Sequence, residues 1–409
     1  MDFDRRGFMR GAGAVGAVAG LGWLDAAEAI AKQAAAGVTS ESRKAYAELI
    51  ELLAAVDTDY LSEKRKVTRP SDISDGHRYI MHVLDAGLDL HFESNPDFPV
   101  FKRIVSPSRK ANGDNPDAIY FTTAIRGNRR YRVRGNLAGA TYTSFTIEAG
   151  SGEGRYASRT AGVLNDLEIE TDAQGHYELT LGPDSEGQNA FKLPEDTARL
   201  TTRHYFERKR SVAADPNVVI PLVIEPLDAG EPPPDWNDAR IAAGIRRVAN
   251  HVRSMTLDSP VGDPTRLPSW VSTRPNVFNA PEKPGQMAFA AFDAAYSMAP
   301  YALGPDEALV IEGKFPKCRF ANVVLWNRYL QSYDYVYRQI SLNRQQTQLE
   351  PDGSFRMLLA HSDPEAPNWL DSMGRSSGTI YWRFMLPEGD IVTPKAQVVR
   401  LADVRGARG

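Results

Sequence analysis

Two hydrophobic periods alternate along this chain. From Ser42 to about Arg65 the apolar residues Tyr46, Leu49, Ile50, Leu53 and Val56 recur at helix spacing, with Lys44, Glu48 and Glu51 outside. A second helical stretch starts near Asp72 or Ser74 and ends near Glu93, with Ile80, Val83, Leu84, Leu88 and Phe92 as its apolar stripe. The period then drops to two. Ala118–Ile125 alternates Ile119, Phe121, Thr123 and Ile125 against Tyr120 and Thr122. After Gly127-Asn128, Tyr131 and Val133 oppose Arg132 and Arg134. After Asn136–Gly139, Phe145 and Ile147 oppose Tyr142, Ser144, Thr146 and Glu148. This reads as a three-stranded meander with one apolar face.

Further strands are expected at Leu167–Glu170, His176–Leu181, Arg199–Arg208 and Val218–Ile224. A proline-rich connection, Glu225–Pro234, marks a domain boundary. Trp236–Leu257 carries Ile241, Ile245, Val248 and Val252 at helix spacing, and Gln286–Tyr301 reads as another helix packed through Met287, Ala290, Ala291, Ala294 and Met298. The last part returns to strands at Glu307–Gly313, Arg319–Trp326, Phe355–Ala360, Thr379–Leu386 and Gln397–Leu401. The expected class is α+β: antiparallel β-sandwich parts, jelly-roll-like, with helical N-terminal and central segments. The expected divisions are a leader over 1–29, a helical segment over 40–100, a β-sandwich domain over 101–230, a helical segment over 231–302 and a β-rich domain over 303–409.

Composition narrows the function. The chain has 409 residues, enough for more than one core, and its formal net charge of -4 argues against nucleic acid as a partner. Cys318 is the single cysteine, so an intramolecular disulfide and multi-cysteine metal or iron–sulfur sites are excluded. No dinucleotide fingerprint, phosphate-binding loop, haem-attachment or zinc-protease motif occurs, and no cofactor is expected. The start, Arg5-Arg6-Gly7-Phe8-Met9-Arg10, precedes a Gly/Ala-rich run and then Ala27-Glu28-Ala29. That is the layout of a twin-arginine export signal, which implies the export machinery as a partner and a periplasmic or otherwise exported location. No later run is long and apolar enough to cross a bilayer, so no membrane span is expected in the mature form.

Two stretches gather chemistry. The polar side of the Asp114–Glu148 meander presents Tyr120, Arg132, Arg134, Tyr142 and Glu148. It fits either a ligand site on rigid strands or the ordinary solvent face of an antiparallel sheet. The His361–Asp371 loop holds His361, Asp363, Glu365, Asn368, Trp369 and Asp371 within eleven positions. It fits either a ligand loop or a polar connection anchored by Trp369. His82, Asp85 and Asp89 share a helix without a recognised metal-ligand spacing.

Gly113-Asp114-Asn115-Pro116-Asp117, Tyr131-Arg132-Val133-Arg134-Gly135, Ser341-Leu342-Asn343-Arg344-Gln345, Asn368-Trp369-Leu370-Asp371 and Trp382-Arg383 together resemble the bacterial family known as domain of unknown function twelve-fourteen, associated with its twelve-fifty-four relative. The resemblance covers most of the mature chain and implies an exported protein of β-sandwich parts with helices. It implies no activity. Some members carry His after the glycine corresponding to Gly374, where this chain has Arg375.

The expected function is an exported, cofactor-independent hydrolase or lyase acting on a carbohydrate or another small molecule. Glu148, Asp363 and Asp371 would do the acid–base work, and Arg132, Arg134, Tyr142, His361, Asn368, Trp369 and Arg383 would hold the ligand. The alternative is a non-catalytic periplasmic ligand-binding or envelope-assembly protein.

Overall fold

The computed structural model describes residues 40–228, 235–259, 267–285 and 291–405. The export-signal expectation, most of the proline-rich connection and the first part of the 286–301 helix lie outside these residues.

Among the described residues four sheets carry the fold, and it is α+β as the alternating periods imply. Sheet I has the spatial order Lys102–Arg103, Ala118–Ala124, Thr197–Tyr205, Tyr142–Ala149, Arg159–Asn165. Sheet II runs Ala190–Lys192, His176–Gly182, Tyr131–Asn136, Leu222–Pro226. Sheet III runs Ala294–Ala302, Ser377–Met385, Phe320–Trp326, Ser341–Asn343, and sheet IV runs Trp369–Asp371, Ser354–Ala360, Glu307–Lys314, Lys395–Arg400. Pairing is antiparallel apart from two short edge strands, Ala190–Lys192 and Trp369–Asp371.

Side-chain alternation makes two sandwiches from these sheets. Phe145, Ile147 and Leu200 of sheet I pack on Tyr131, Val133, Leu179 and Leu181 of sheet II. Val323, Leu325, Ile380 and Trp382 of sheet III share a core with Leu309, Ile311, Met357 and Leu359 of sheet IV. Each such side chain contributes about 1.5–3 kcal/mol by leaving water. The opposite faces of sheets I and III are also covered. Tyr120, Tyr142 and Tyr205 belong to the same buried cluster as Tyr296 and Tyr381, so the two sandwiches meet there.

Helices α1 (Glu41–Ala55), α2 (Pro70–Gly87) and α3 (Asp238–Met255) form one layer, joined through Leu52, Val56, Tyr79, Ile80, Val83, Val252 and Met255. Ser40 caps α1 by accepting from the Arg43 amide, and Asn237 caps α3 by accepting from the Arg240 amide. Tyr329 reaches into this layer from the C-terminal half: its hydroxyl donates to the Asp72 carbonyl at 2.8 Å, and Arg328 pairs with the Asp72 carboxylate at 2.9 Å. The N-terminal and central helices are thus packed together. Among the described residues no helix is long and apolar enough to cross a membrane.

Four sequence expectations are corrected. Ala118–Ala124 and Tyr131–Asn136 are not hairpin partners; they lie in different sheets, so the meander does not exist. A turn sequence reverses the chain but does not say whether the next strand pairs alongside or crosses to the facing layer. Ala294–Ala302 is a strand, paired along its length with Ser377–Met385, rather than the end of a helix. Its small and apolar residues fit period two as well as period 3.6, and tertiary pairing decides. Leu167–Glu170 is a turn; the strand is Arg159–Asn165. In α1 the buried positions are Ala45 and Leu52, while Tyr46 and Ile50 face solvent.

Candidate ligand-binding site

The site lies where sheet I meets sheet III. On the central strand of sheet I, Arg203 stands between Tyr120 and Ser144 on its two neighbours. Thr201 and Tyr205, two residues either way, share its face. In sheet III, Arg383 stands between Tyr296 and Asn322, and Tyr381 lies two residues away on the same face. Between these faces is a cavity of about 320 Å³, lined by Tyr120, Thr201, Arg203 and Tyr205 from one side and Tyr296, Met298, Tyr381 and Arg383 from the other. Trp270, Trp326, Leu330 and the Gly113–Asp114 turn close its rim.

Arg383 dominates the electrostatics. It is 5% exposed, and its guanidinium sits 5.0 Å from the Tyr381 ring, 5.7 Å from Tyr205 and 5.9 Å from Tyr296. The ring faces offset part of the cost of burying the charge. Among the described residues its guanidinium makes one long hydrogen bond, 3.4 Å from Nη2 to the Gly113 carbonyl, and it also interacts with the Tyr381 side chain. Nε and Nη1 have no protein partner, and no carboxylate stands within ion-pair distance among the described residues. Two other buried groups on the cavity wall are also unpartnered: the Trp270 indole Nε1 and the Thr201 hydroxyl. Buried polar groups are nearly always hydrogen-bonded, so a cluster of orphaned groups around one cavity marks where a ligand supplies the missing acceptors.

Several neighbouring groups have protein partners. Arg203 donates to Thr146 Oγ1 and stands 3.9 Å from Glu148 Oε1. The Tyr120 hydroxyl donates to that of Tyr205 at 3.2 Å. Burial holds the Tyr120 and Tyr381 phenols well above their usual range, so they stay neutral. The Asp114 carboxylate accepts from the Ser332 amide at 2.7 Å and from the Ser332 hydroxyl, while its carbonyl accepts from Trp326 Nε1 at 2.9 Å. Lys110 Nζ donates to the Ser332 carbonyl at 2.8 Å and to its hydroxyl oxygen at 3.1 Å. Burial pulls the Lys110 ammonium down to about 8 and raises the Asp114 carboxyl.

The residues singled out from the sequence scatter. Arg383 lines the cavity. Tyr142 lies behind it against Tyr205, with its hydroxyl donating to Asp293 Oδ2 at 2.5 Å, and Glu148 lies behind Arg203. Arg132 and Arg134 are on sheet II, paired with Glu178 and Glu225 at 2.9–3.2 Å. They form the cross-strand charge ladder of an outer face and do not share the cavity. The His361–Asp371 loop is knit to itself and its surroundings: His361 contacts Ser372 Oγ and the Gly304 carbonyl, and Asp363 accepts from the Glu365 amide. Asn368 donates to the Gln348 and Arg356 carbonyls, Trp369 donates to the Ala360 carbonyl, and Asp371 pairs with Arg338. None of Glu148, Asp363 and Asp371 lines the cavity. On α2 and the turn after it, Asp85 and Asp89 pair with Arg109. The Cys318 thiol is pushed up to about 11 by burial, the opposite of an activated nucleophile.

Sequence reasoning missed Arg203, Tyr205, Trp270, Tyr296 and Tyr381. The available signal was the alternation of Thr201, Arg203 and Tyr205, a polar face with a cation in the expected Arg199–Arg208 strand.

A larger cavity of about 460 Å³ lies beside the Gly150–Gly154 turn and is lined by Arg126, Arg199, Arg247 and Trp236. Three of its cations already have partners. Arg247 donates to the His91 and Phe92 carbonyls, Arg199 contacts the His91 ring, and Arg126 pairs with Asp97. Size therefore ranks the two cavities one way and unmet hydrogen bonds the other; the latter report on binding more directly.

No family model matches this chain, and no curated protein matches it. Among solved structures, it is similar to an uncharacterized protein from Burkholderia cenocepacia, with 26% identity, a TM-score of 0.73 and coverage of 88% of this chain and 97% of that one. A VPA0106 protein from Vibrio parahaemolyticus shares 11% identity at a TM-score of 0.46, over 79% of this chain and 98% of the other.

Proposed function

We propose that this protein binds a small organic anion in the cavity between sheets I and III, and that binding rather than hydrolysis is its basic activity. The observation that carries the reading is the buried Arg383 guanidinium, whose Nε and Nη1 lack an acceptor among the described residues at the wall of a cavity of ligand size. The tyrosine and tryptophan rings around it suit an apolar or aromatic body. The hydrolase or lyase reading on carbohydrate has less support. A general acid–base pair needs two carboxyl groups facing one substrate. Of the three proposed for that work, Glu148 neighbours Arg203, Asp371 pairs with Arg338, and Asp363 caps a turn.

The sequence of residues 1–29 supports a twin-arginine-exported, periplasmic setting, in which such a protein would carry or sense a small solute. The family resemblance fits the same setting. The test is a thermal-shift screen of organic anions on the purified protein, followed by mass spectrometry of each stabilising compound after incubation. Stabilisation by an anion recovered unchanged, and lost in Arg383→Met, is the expected result. An anion recovered chemically altered would restore the enzyme reading, and equal stabilisation of Arg383→Met would remove Arg383 from the site.

A further inference from the structure

The charges around the cavity limit what kind of anion it accepts. Three charged residues line it: Asp114, Arg203 and Arg383. Asp114 is coupled to Lys110 through Ser332, and that couple contributes no net charge whichever partner holds the proton. Arg203 is balanced by Glu148, a fully buried carboxylate 3.9 Å from its Nη2. Asp293, behind Tyr142, is held by the Tyr142 hydroxyl and the Asn165 amide and does not line the cavity. Arg199 lies within reach of the Glu148 charge but opens onto the neighbouring cavities. Asp117 feels the Arg383 charge, and burial keeps its own carboxyl near the neutral–charged boundary at about 7. What remains uncompensated at the cavity wall is the one positive charge of Arg383.

A ligand dianion would therefore leave one negative charge unmatched beside the buried Arg383 guanidinium, whereas a monoanion leaves none. The donors have the right geometry for this. Arg383 Nε and Nη1 are free donors on one planar guanidinium, and either one with Nη2, whose bond to Gly113 is long, makes the fork that grips a carboxylate through both oxygens. Beyond it, Trp270 stands 5.5 Å from Tyr296 and 6.1 Å from Tyr381 by ring centroids, with its indole N–H unpartnered. These rings offer faces and edges to a flat apolar body.

We infer that the ligand of this cavity is an aromatic or similarly flat monocarboxylate, and that Glu148 sets the single-charge limit by neutralising Arg203. Glu148 is thus a specificity residue acting through Arg203, without touching the ligand. The inference rests on the anion-binding reading above.

The test compares benzoate with phenyl phosphate, held above its second ionisation, by calorimetric titration of wild type, Glu148→Gln and Arg383→Met. Wild type is expected to bind benzoate at least tenfold more tightly than phenyl phosphate. Glu148→Gln, with Arg203 no longer neutralised, is expected to shrink that ratio by at least tenfold or invert it. Equal or tighter binding of phenyl phosphate by wild type, lost in Arg383→Met, would overturn the charge limit while leaving the anion site standing. An unchanged ratio in a folded Glu148→Gln would overturn the role of Glu148. Failure of both probes to bind wild type would overturn the anion site as well. The wild-type ratio decides the first point even if Glu148→Gln does not fold.

Discussion

Tyr296 and Arg383 are direct cross-strand partners in sheet III, and the guanidinium lies 5.9 Å from the centre of the tyrosine ring. With Tyr381 and Tyr205, this gives a buried cation aromatic neighbours in place of a counter-ion. Each such contact stabilises by about 0.5–2 kcal/mol, while desolvating the charge costs several. The two nearly cancel. Arg383→Met is therefore expected to keep the stability of the unliganded protein within about 1 kcal/mol of wild type, while weakening binding of the carboxylate at least tenfold. Denaturant unfolding and calorimetric titration of the same variant check the two halves. A large stability loss with binding intact would make Arg383 structural.

Trp270 separates packing from recognition. Its indole N–H has no partner among the described residues, whereas its ring packs against Tyr296 and Tyr381. Trp270→Phe keeps an aromatic ring and removes the donor. The expected outcome is a change in unfolding free energy below about 1 kcal/mol, with measurably weaker ligand affinity.

Gly76 lies where the helical layer meets Tyr329. A Cβ at this position would stand 2.6 Å from the Tyr329 hydroxyl oxygen and would also meet Leu61. The Tyr329 hydroxyl is tied to the Asp72 carbonyl and has little freedom to retreat. Gly76→Ala is expected to destabilise by about 1–3 kcal/mol through overpacking, outweighing the few tenths to about 1 kcal/mol that alanine gains over glycine in a helix. A higher melting temperature in Gly76→Ala would contradict this joint.

Asp117 gives a pH signature. Burial pushes its carboxyl up to about 7, against the amides donated by Asn322 at 2.9 Å and Asn343 at 3.1 Å. In the unfolded chain it ionises near the ordinary aspartate value of about 4. Between those values the folded protein holds a proton that the unfolded chain has released. This contribution is therefore fully present below about pH 4 and is lost as pH rises through about 7. The melting temperature of wild type relative to Asp117→Asn should fall across that window. A difference that is flat, or that grows with pH, would place the Asp117 carboxyl in its ionised form throughout.

Much of the strand layout was legible because the central strands bury at least one face. Phe145 and Ile147 against Tyr142 and Ser144 make the period plain. What the pattern could not assign was the partner. Tyr131–Asn136 follows Ala118–Ala124 through a good turn sequence, yet it pairs with His176–Gly182 and Leu222–Pro226 in the facing sheet. Arg132 and Arg134 were carried into the candidate site by that one misplacement. The polar side of sheet I fits a solvent face by its residues, and only the packing of sheet III over it makes it a cavity wall. Arg203, Trp270 and Arg383 converge there from three distant segments, and no local spacing records a meeting of that kind. Arg383 was reached through the Trp382-Arg383 pair of the family resemblance, whereas Tyr296 was hidden by an Ala-rich stretch that suits helix and strand alike.

The central claim is that the unpartnered Arg383 nitrogens receive the anionic group of a ligand. A crystal structure of the protein with bound benzoate measures this directly. The account predicts one carboxylate oxygen at about 2.7–2.9 Å from Arg383 Nε or Nη1 and the other at a similar distance from Nη2, with the ring against Tyr296, Tyr381 or Trp270. Benzoate bound at another surface, with the Arg383 nitrogens still lacking an acceptor, would contradict it.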